Sequence, residues 1–165
     1  MAVKPFVYWY PAAPANFTPA NRPYSGFINS IVIHMTQGSY ASAMSWFQVP
    51  GAAASSHYTV RSYDGIIGQS VSDINIAWHA GNWWFNAHSI GIEHEGYVGN
   101  PNWLTEPMTQ SSARLAAYLC LTYGIPIDRY HIFGHNEVPG STHTDPGYWW
   151  NWDYYMYLVA AYAGY

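Results

Sequence analysis

Apolar positions along this chain fall into short blocks whose spacing alternates between the two-residue period of strands and the longer period of helices. Ile28 to Met35 (Ile-Asn-Ser-Ile-Val-Ile-His-Met) is rich in β-branched residues, as a buried strand is, and Thr36-Gln37-Gly38 break it. Ser39 to Gln48 predicts a short helix with Ala43, Trp46 and Phe47 on one face, stopped near Pro50-Gly51. Ser56 to Arg61 and Ile66 to Val71 flank Asp64-Gly65, the pattern of a hairpin. The stretch Ala77-Trp78-His79-Ala80-Gly81 reads as a loop that leads to the tryptophan pair Trp83-Trp84. In Ser89 to Gly96, Ile90, Ile92 and His94 alternate with Gly91, Glu93 and Glu95, which predicts a strand with one acidic face. Thr109 is placed to cap a helix running to Tyr123, apolar on nearly all sides and therefore buried, with Gly124 and Pro126 as its stop. His131 to Gly134 predicts another strand, and Asn151 to Tyr162 a Tyr-rich closing helix. Strands and helices interleave, so the fold class is α/β with a mixed sheet. Residues 28–165 form one domain in this reading, and the Pro- and Asn-rich residues 1–27 an extended arm laid over it.

Composition narrows the function. Charged residues make up 8% of the chain, against a usual share of about a quarter. Aromatics make up 19%, with nine Trp and sixteen Tyr, so there is ample apolar surface for collapse. Few charges among many Trp and Tyr suggest stacking platforms of the kind found on carbohydrate- and polymer-binding surfaces. A Tyr-rich core and crust without ligand meaning is the plainer alternative. Five Lys plus Arg and a net charge of −4 exclude a nucleic-acid partner, which requires a basic patch. No apolar run approaches the roughly eighteen residues of a membrane span. The single cysteine, Cys120, excludes an intrachain disulfide and reads as a buried, inert thiol in the apolar helix.

Candidate chemistry concentrates between His131 and Gly147, where three of the eight histidines lie in a loop rich in backbone-fixing residues. His135 follows an apolar strand, so its side chain sits at a strand end. Pro146 pushes Asp145 towards an extended backbone, from which its carboxylate can reach back towards His135. A hydrolytic zinc site needs three protein ligands and an open position for water. His34 supplies the third, because it ends a buried apolar strand where a polar side chain is costly unless partnered. His34, His135 and Asp145 then make a set of two histidines and one carboxylate. His88 and His131, at strand starts, read as structural.

These motifs resemble a known family. Ile31-Val32-Ile33-His34, Trp78-His79-Ala80-Gly81, Ser89-Ile90-Gly91-Ile92-Glu93, Gly134-His135-Asn136-Glu137 and Thr144-Asp145-Pro146-Gly147 occur in the order seen in type 2 N-acetylmuramoyl-L-alanine amidases. That family is related to the peptidoglycan-recognition proteins and to amidase-type phage lysins. The resemblance spans about residues 28–158. It implies a central mixed sheet flanked by helices and one zinc ion per chain on His34, His135 and Asp145. It also implies hydrolysis of the amide between N-acetylmuramic acid and L-alanine in peptidoglycan. Glu93 matches the general base, with Glu95, two residues on, as its rival. His143 stands where other members carry lysine or threonine, and would stabilise the oxyanion. His79 is carried over as a groove residue, with Trp78 and Trp83 beside it as substrate contacts. Trp84, Trp149 and Trp150 are further candidates for stacking on sugars. The expected partners are peptidoglycan and muropeptides, met by a monomer outside the cell or in the cell wall. The N-terminus shows only Lys4 before a brief aromatic patch, too short for a secretory signal, so export by another route or a trimmed chain is implied. A muropeptide-binding module without activity and a zinc endopeptidase acting on stem peptides remain as alternatives.

Overall fold

Ile31, Val32 and Ile33 are buried on both sides of one strand, and the rest of the fold is laid around it. The computed structural model describes residues 2–22 and 27–165. Met1 and residues 23–26, both in the expected arm, lie outside the described residues. The strands are β1 (Tyr8–Trp9), β2 (Phe17–Thr18), β3 (Ser30–Met35), β4 (Tyr58–Val60), β5 (Ile67–Gln69), β6 (Ile76–Ala77), β7 (Ser89–His94) and β8 (Ile132–Gly134). The α-helices are α1 (Tyr40–Gln48), α2 (Trp83–His88), α3 (Glu106–Tyr123) and α4 (Trp152–Ala163). Six strands form one mixed sheet in the order β1-β5-β4-β7-β3-β8, and β2 pairs with β6 in a small second sheet. All neighbours in the large sheet run parallel except the β4–β5 hairpin.

The period-two alternation of β3 and β7 decides what each face meets. Ile31, Ile33, Ile90 and Ile92 turn towards α3 and α4 and pack with Met108, Leu115, Leu119, Tyr155 and Val159. Each such aliphatic side chain contributes about 1.5–3 kcal/mol by leaving water. Val32 turns the other way, into a smaller cluster with Ala80, Phe133 and Val138. Helix α1 covers part of that second face, burying Tyr40, Met44 and Phe47 against Ala12, Val71 and Ala77. Of the residues expected to share one face of α1, Phe47 is buried and Trp46 is exposed.

The N-terminal residues are woven into the domain rather than merely laid over it. Strand β1 adds to the sheet edge, β2 pairs with β6, and Arg22 is buried. Helix α3 starts one turn before the expected cap. Thr105 accepts the Met108 N–H at 3.4 Å, while the Thr109 hydroxyl donates to the Thr105 carbonyl. Pro107 does not prevent this, because a first-turn residue needs no N–H for the helix ladder. The loop expected at Ala77 to Gly81 leads into α2, a helix the sequence reading did not expect, whose first turn is capped by Asn82. Among the described residues no helix is long and apolar enough to cross a membrane.

Candidate metal centre

Three separate segments bring the candidate ligands together. Strands β3 and β7 pair with His34 directly beside Glu93, and alternation points both to the face away from α3 and α4. Strand β8 lies on the other edge of β3 and delivers His135 immediately after Gly134. The chain then loops back, and the Asn136 N–H donates to the Asp145 carbonyl at 3.0 Å. That return is possible because position 134 is glycine: a Cβ there would stand 2.6 Å from Pro146 Cδ. The Asp145 carboxylate also accepts the Met35 N–H at 3.2 Å, which ties the loop to the end of β3.

As a result, one ligand-capable atom from each of His34, His135 and Asp145 lies within 4.8 Å of the others, and all three residues are buried. The Nδ1 atoms of His34 and His135 stand 3.4 and 3.2 Å from the two oxygens of Asp145. Two imidazoles and a carboxylate converging in this way can hold a metal ion.

The electrostatics of the cluster follow from its burial. Burial lowers the pKa of His34, although Asp145 opposes it, so the ring is neutral. For Asp145 burial works against ionisation, but the neighbouring His135 side chain leads the effects that outweigh it and hold the carboxyl well below the usual range. Glu93 goes the other way: burial first, then the charge of Asp145, push its pKa up to about 8. Its Oε1 is 4.0 Å from His34 Nδ1, and its Oε2 has no hydrogen-bond partner. The buried His135 Nε2 is likewise unpartnered. Buried polar atoms are nearly always satisfied, so two orphans beside one ligand cluster leave lone pairs or protons there for a bound ion, water or ligand to meet.

Glu95, the rival of Glu93, is committed elsewhere. Strand β7 ends at His94, and beyond it the Glu95 carboxylate turns to accept the N–H groups of Tyr40 at 2.9 Å and Ser62 at 2.7 Å. It therefore holds the first turn of α1. The expected single acidic face does not form, because the strand stops between the two carboxylates.

A cavity of about 560 Å³ opens over the cluster, lined by His34, Glu93, His135, His143 and Asp145 together with Trp46 and Trp78. His143 lies at its rim, with 63% of its side chain exposed. Its ring stacks on that of His135, centroids 4.1 Å apart. Trp78 presents part of its ring to the cavity while its Nε1–H donates to Thr18 Oγ1 at 2.9 Å. Trp83 is not in this cavity but lines an adjoining hollow of about 400 Å³, shared with Trp78. His79 lines the main cavity, yet both ring nitrogens are engaged by protein partners, His34 and Ser89. Trp150 is buried against His94 and Tyr155 and offers no platform to a sugar. Trp84 is stacked on His88, and the exposed Trp149 stands edge-on to Tyr148. His131 is held by Asp128 at 2.7 Å, a local structural role.

Two buried groups behind the site were not singled out from the sequence. Arg22 donates to the carbonyls of Asp73, Asn75, Asn86, Ala87 and Ser89. It thereby joins the chain entering β7 to the loop before β6. His57 packs edge-on against His79, and its Nδ1 accepts the Gly91 N–H at 3.1 Å. The one clue was a polar residue, His57, inside a run that alternates as a strand.

Comparison with known proteins gives a consistent result. The family model described as N-acetylmuramoyl-L-alanine amidase matches residues 23–148. N-acetylmuramoyl-L-alanine amidase A of Achromobacter lyticus is 33% identical over 168 residues, covering 92% of each chain. Among solved structures, the selenomethionine derivative of AmpD superposes with a TM-score of 0.76 at 25% identity, covering 93% of this chain and 94% of that one. AmiD of E. coli, in complex with anhydro-N-acetylmuramic acid-L-Ala-D-γ-Glu-L-Lys, gives a TM-score of 0.68 at 25% identity, covering 79% of this chain and 57% of that one.

Proposed function

This chain belongs to the N-acetylmuramoyl-L-alanine amidase family, and from that premise we propose that it is a zinc-dependent hydrolase of the bond between the muramic acid lactyl group and the first L-alanine of the stem peptide. Amidase activity on peptidoglycan comes with the family; the dependence on zinc and the roles of individual residues are our reading. The observation that carries it is the convergence of His34, His135 and Asp145 beside an unpartnered Glu93 in one cavity. Two nitrogens and one carboxylate oxygen suit zinc with a position left open, the arrangement found in hydrolytic rather than structural sites. Held there, zinc supplies a Lewis acid for the scissile carbonyl and makes a water molecule more acidic.

The remaining work falls to the chain. Glu93 takes a proton from the attacking water as its oxygen bonds to the amide carbon. It then delivers that proton to the alanine nitrogen as the carbon–nitrogen bond breaks, leaving a lactyl carboxylic acid, which ionises to water, and a free amine. Without a metal, burial and the charge of Asp145 raise this carboxyl to about 8; a cation held beside it would favour the ionised form, and so bring it towards the range in which a carboxylate can both take and return a proton. His143, exposed at the rim and aligned by stacking on His135, donates a hydrogen bond to the oxygen that becomes negative. Trp46 and Trp78 give the cavity apolar walls against which a sugar ring or stem peptide packs. The AmiD complex, with its bound muropeptide, supports this class of substrate.

Digestion of purified peptidoglycan followed by mass spectrometry tests the reading. Stem peptides with a free N-terminal L-alanine and glycans with intact lactyl carboxylates are the expected products. Cuts between stem-peptide residues would overturn it in favour of an endopeptidase.

A further inference from the structure

The proton positions on His34 are dictated by a chain of hydrogen bonds that leads away from the cavity. Its Nε2 is 2.9 Å from Nδ1 of His79, and Nε2 of His79 is 3.1 Å from the Ser89 hydroxyl oxygen. The Ser89 hydroxyl in turn donates to the Phe85 carbonyl. A serine has one proton to give and a carbonyl can only accept, so the proton of Ser89 is committed to Phe85. Ser89 must then accept from Nε2–H of His79. His79 is buried and its two ring nitrogens face only His34 and Ser89, so a second ring proton would be a buried charge without a counter-charge. The singly protonated ring, with its proton on Nε2, presents a bare Nδ1. The donor across the first contact is therefore Nε2–H of His34. Its Nδ1 is left with a lone pair directed at Asp145 Oδ2, 3.4 Å away. A lone pair facing a carboxylate is repulsive unless a cation lies between them.

The ring of His79 is held for this task. It lies flat against β7 at Gly91, where a Cβ would approach its Cγ to 2.6 Å and its Nδ1 to 2.7 Å. Behind it stands His57, ring centroids 5.7 Å apart.

We propose that His79 is a positioning residue which, with Ser89, fixes His34 in the Nε2–H tautomer before any metal arrives, so that Nδ1 is already presented as a ligand. The inference rests on the reading of His34 as a zinc ligand given above. It also replaces the role expected for His79 as a substrate contact. A partner of this kind sets the orientation and basicity of the ligand, and its loss typically lowers metal affinity by about 10- to 100-fold.

The test reads metal binding and protonation rather than turnover. Long-range ¹H–¹⁵N correlation on the metal-free protein should find both His34 and His79 protonated at Nε2. Zinc affinity is then measured by competition with a chromophoric chelator for wild type, His79→Asn, His79→Phe and Gly91→Ala. The asparagine amide oxygen can replace Nδ1 as acceptor, so His79→Asn should bind within a few-fold of wild type. His79→Phe keeps a flat ring but accepts nothing, and should bind about 10- to 100-fold more weakly. Gly91→Ala displaces the ring without altering a single donor, and should also weaken binding. Thermal unfolding of the chelated variants checks that each is folded. His34 protonated at Nδ1 in the metal-free protein would overturn the proposal even if His79→Phe failed to fold. A folded His79→Phe that binds zinc as tightly as wild type overturns it alone, whereas a wild-type protein that takes up no zinc overturns the metal reading as well.

Discussion

Glu93→Gln should make the metal-free protein more stable while disabling it, and the size of the gain should depend on pH. Glutamate ionises near 4.5 in the open chain, but burial and Asp145 raise it to about 8 in the fold. The ionised form is thus about 5 kcal/mol costlier in the folded protein than in the unfolded one, at about 1.4 kcal/mol per pH unit. A carboxyl raised in this way favours the fold fully below pH 4.5, and that support is lost as pH rises towards about 8. Integrating the proton release gives a loss on the order of 1 kcal/mol by pH 5.5 and on the order of 4 kcal/mol by pH 7.5. Glutamine cannot ionise and so escapes the loss. Urea unfolding of chelated protein, followed by fluorescence of its nine tryptophans, should therefore show the variant gaining a few kcal/mol, on the order of 2–3, on wild type between those two pH values. With zinc bound the advantage should shrink, since a nearby cation stabilises the carboxylate, and turnover of Glu93→Gln should fall about 10²- to 10⁴-fold. A stability difference that is the same at both pH values would refute the strained-carboxylate argument, whatever happens to activity.

Glu95→Ala should show the converse: the buried N–H groups of Tyr40 and Ser62 lose their acceptor, at about 1–3 kcal/mol each by urea unfolding, while turnover at a permissive temperature stays within a few-fold of wild type. Metal analysis of protein purified without added zinc should find about one equivalent per chain, as a site of three protein ligands implies; chelation should abolish cleavage and zinc restore it, and activity persisting in fully chelated protein would sink the zinc assignment. His143→Ala should lower the rate about 10²- to 10³-fold with zinc content unchanged, as expected for loss of an oxyanion donor. Because its side chain is largely exposed, unfolding free energy should move by less than about 0.5 kcal/mol, and an undiminished rate would remove His143 from the reaction.

What could be read from the sequence follows from how far each signal reaches along the chain. Strands β3 and β7 were legible because burial on their helix-facing side demands Ile31, Ile33, Ile90 and Ile92 at a fixed period. The same alternation put Glu93 on the face opposite Ile90 and Ile92, where the pairing of β3 with β7 also sets His34. Helix α2 was not legible: six residues of Trp-Trp-Phe-Asn-Ala-His are too short to show a helical period, and only the Asn82 cap signals it. The start of α3 was misplaced because Thr105 and Thr109 are equally able to cap. Pro107 looks like a breaker until its place in the first turn is known. Trp149 and Trp150 are adjacent and chemically alike, yet one is exposed and the other packed on His94. No local pattern distinguishes them.

The pair Glu93 and Glu95 shows most plainly where sequence reading stops. Both follow the same alternation, and both are carboxylates two residues apart at the end of one strand. What separates them is the identity of their partners, and for Glu95 those are two backbone N–H groups, from the first turn of α1 and the loop after β4. Backbone donors leave no trace in residue type, since every residue but proline carries one. Ser89 and His79 pose the same difficulty, because the direction of their hydrogen bonds is set by the Phe85 carbonyl, which any residue at that position would provide. A satisfied polar group and a reactive one can therefore look identical in sequence. They become distinguishable once the distant main chain that satisfies one of them is in view.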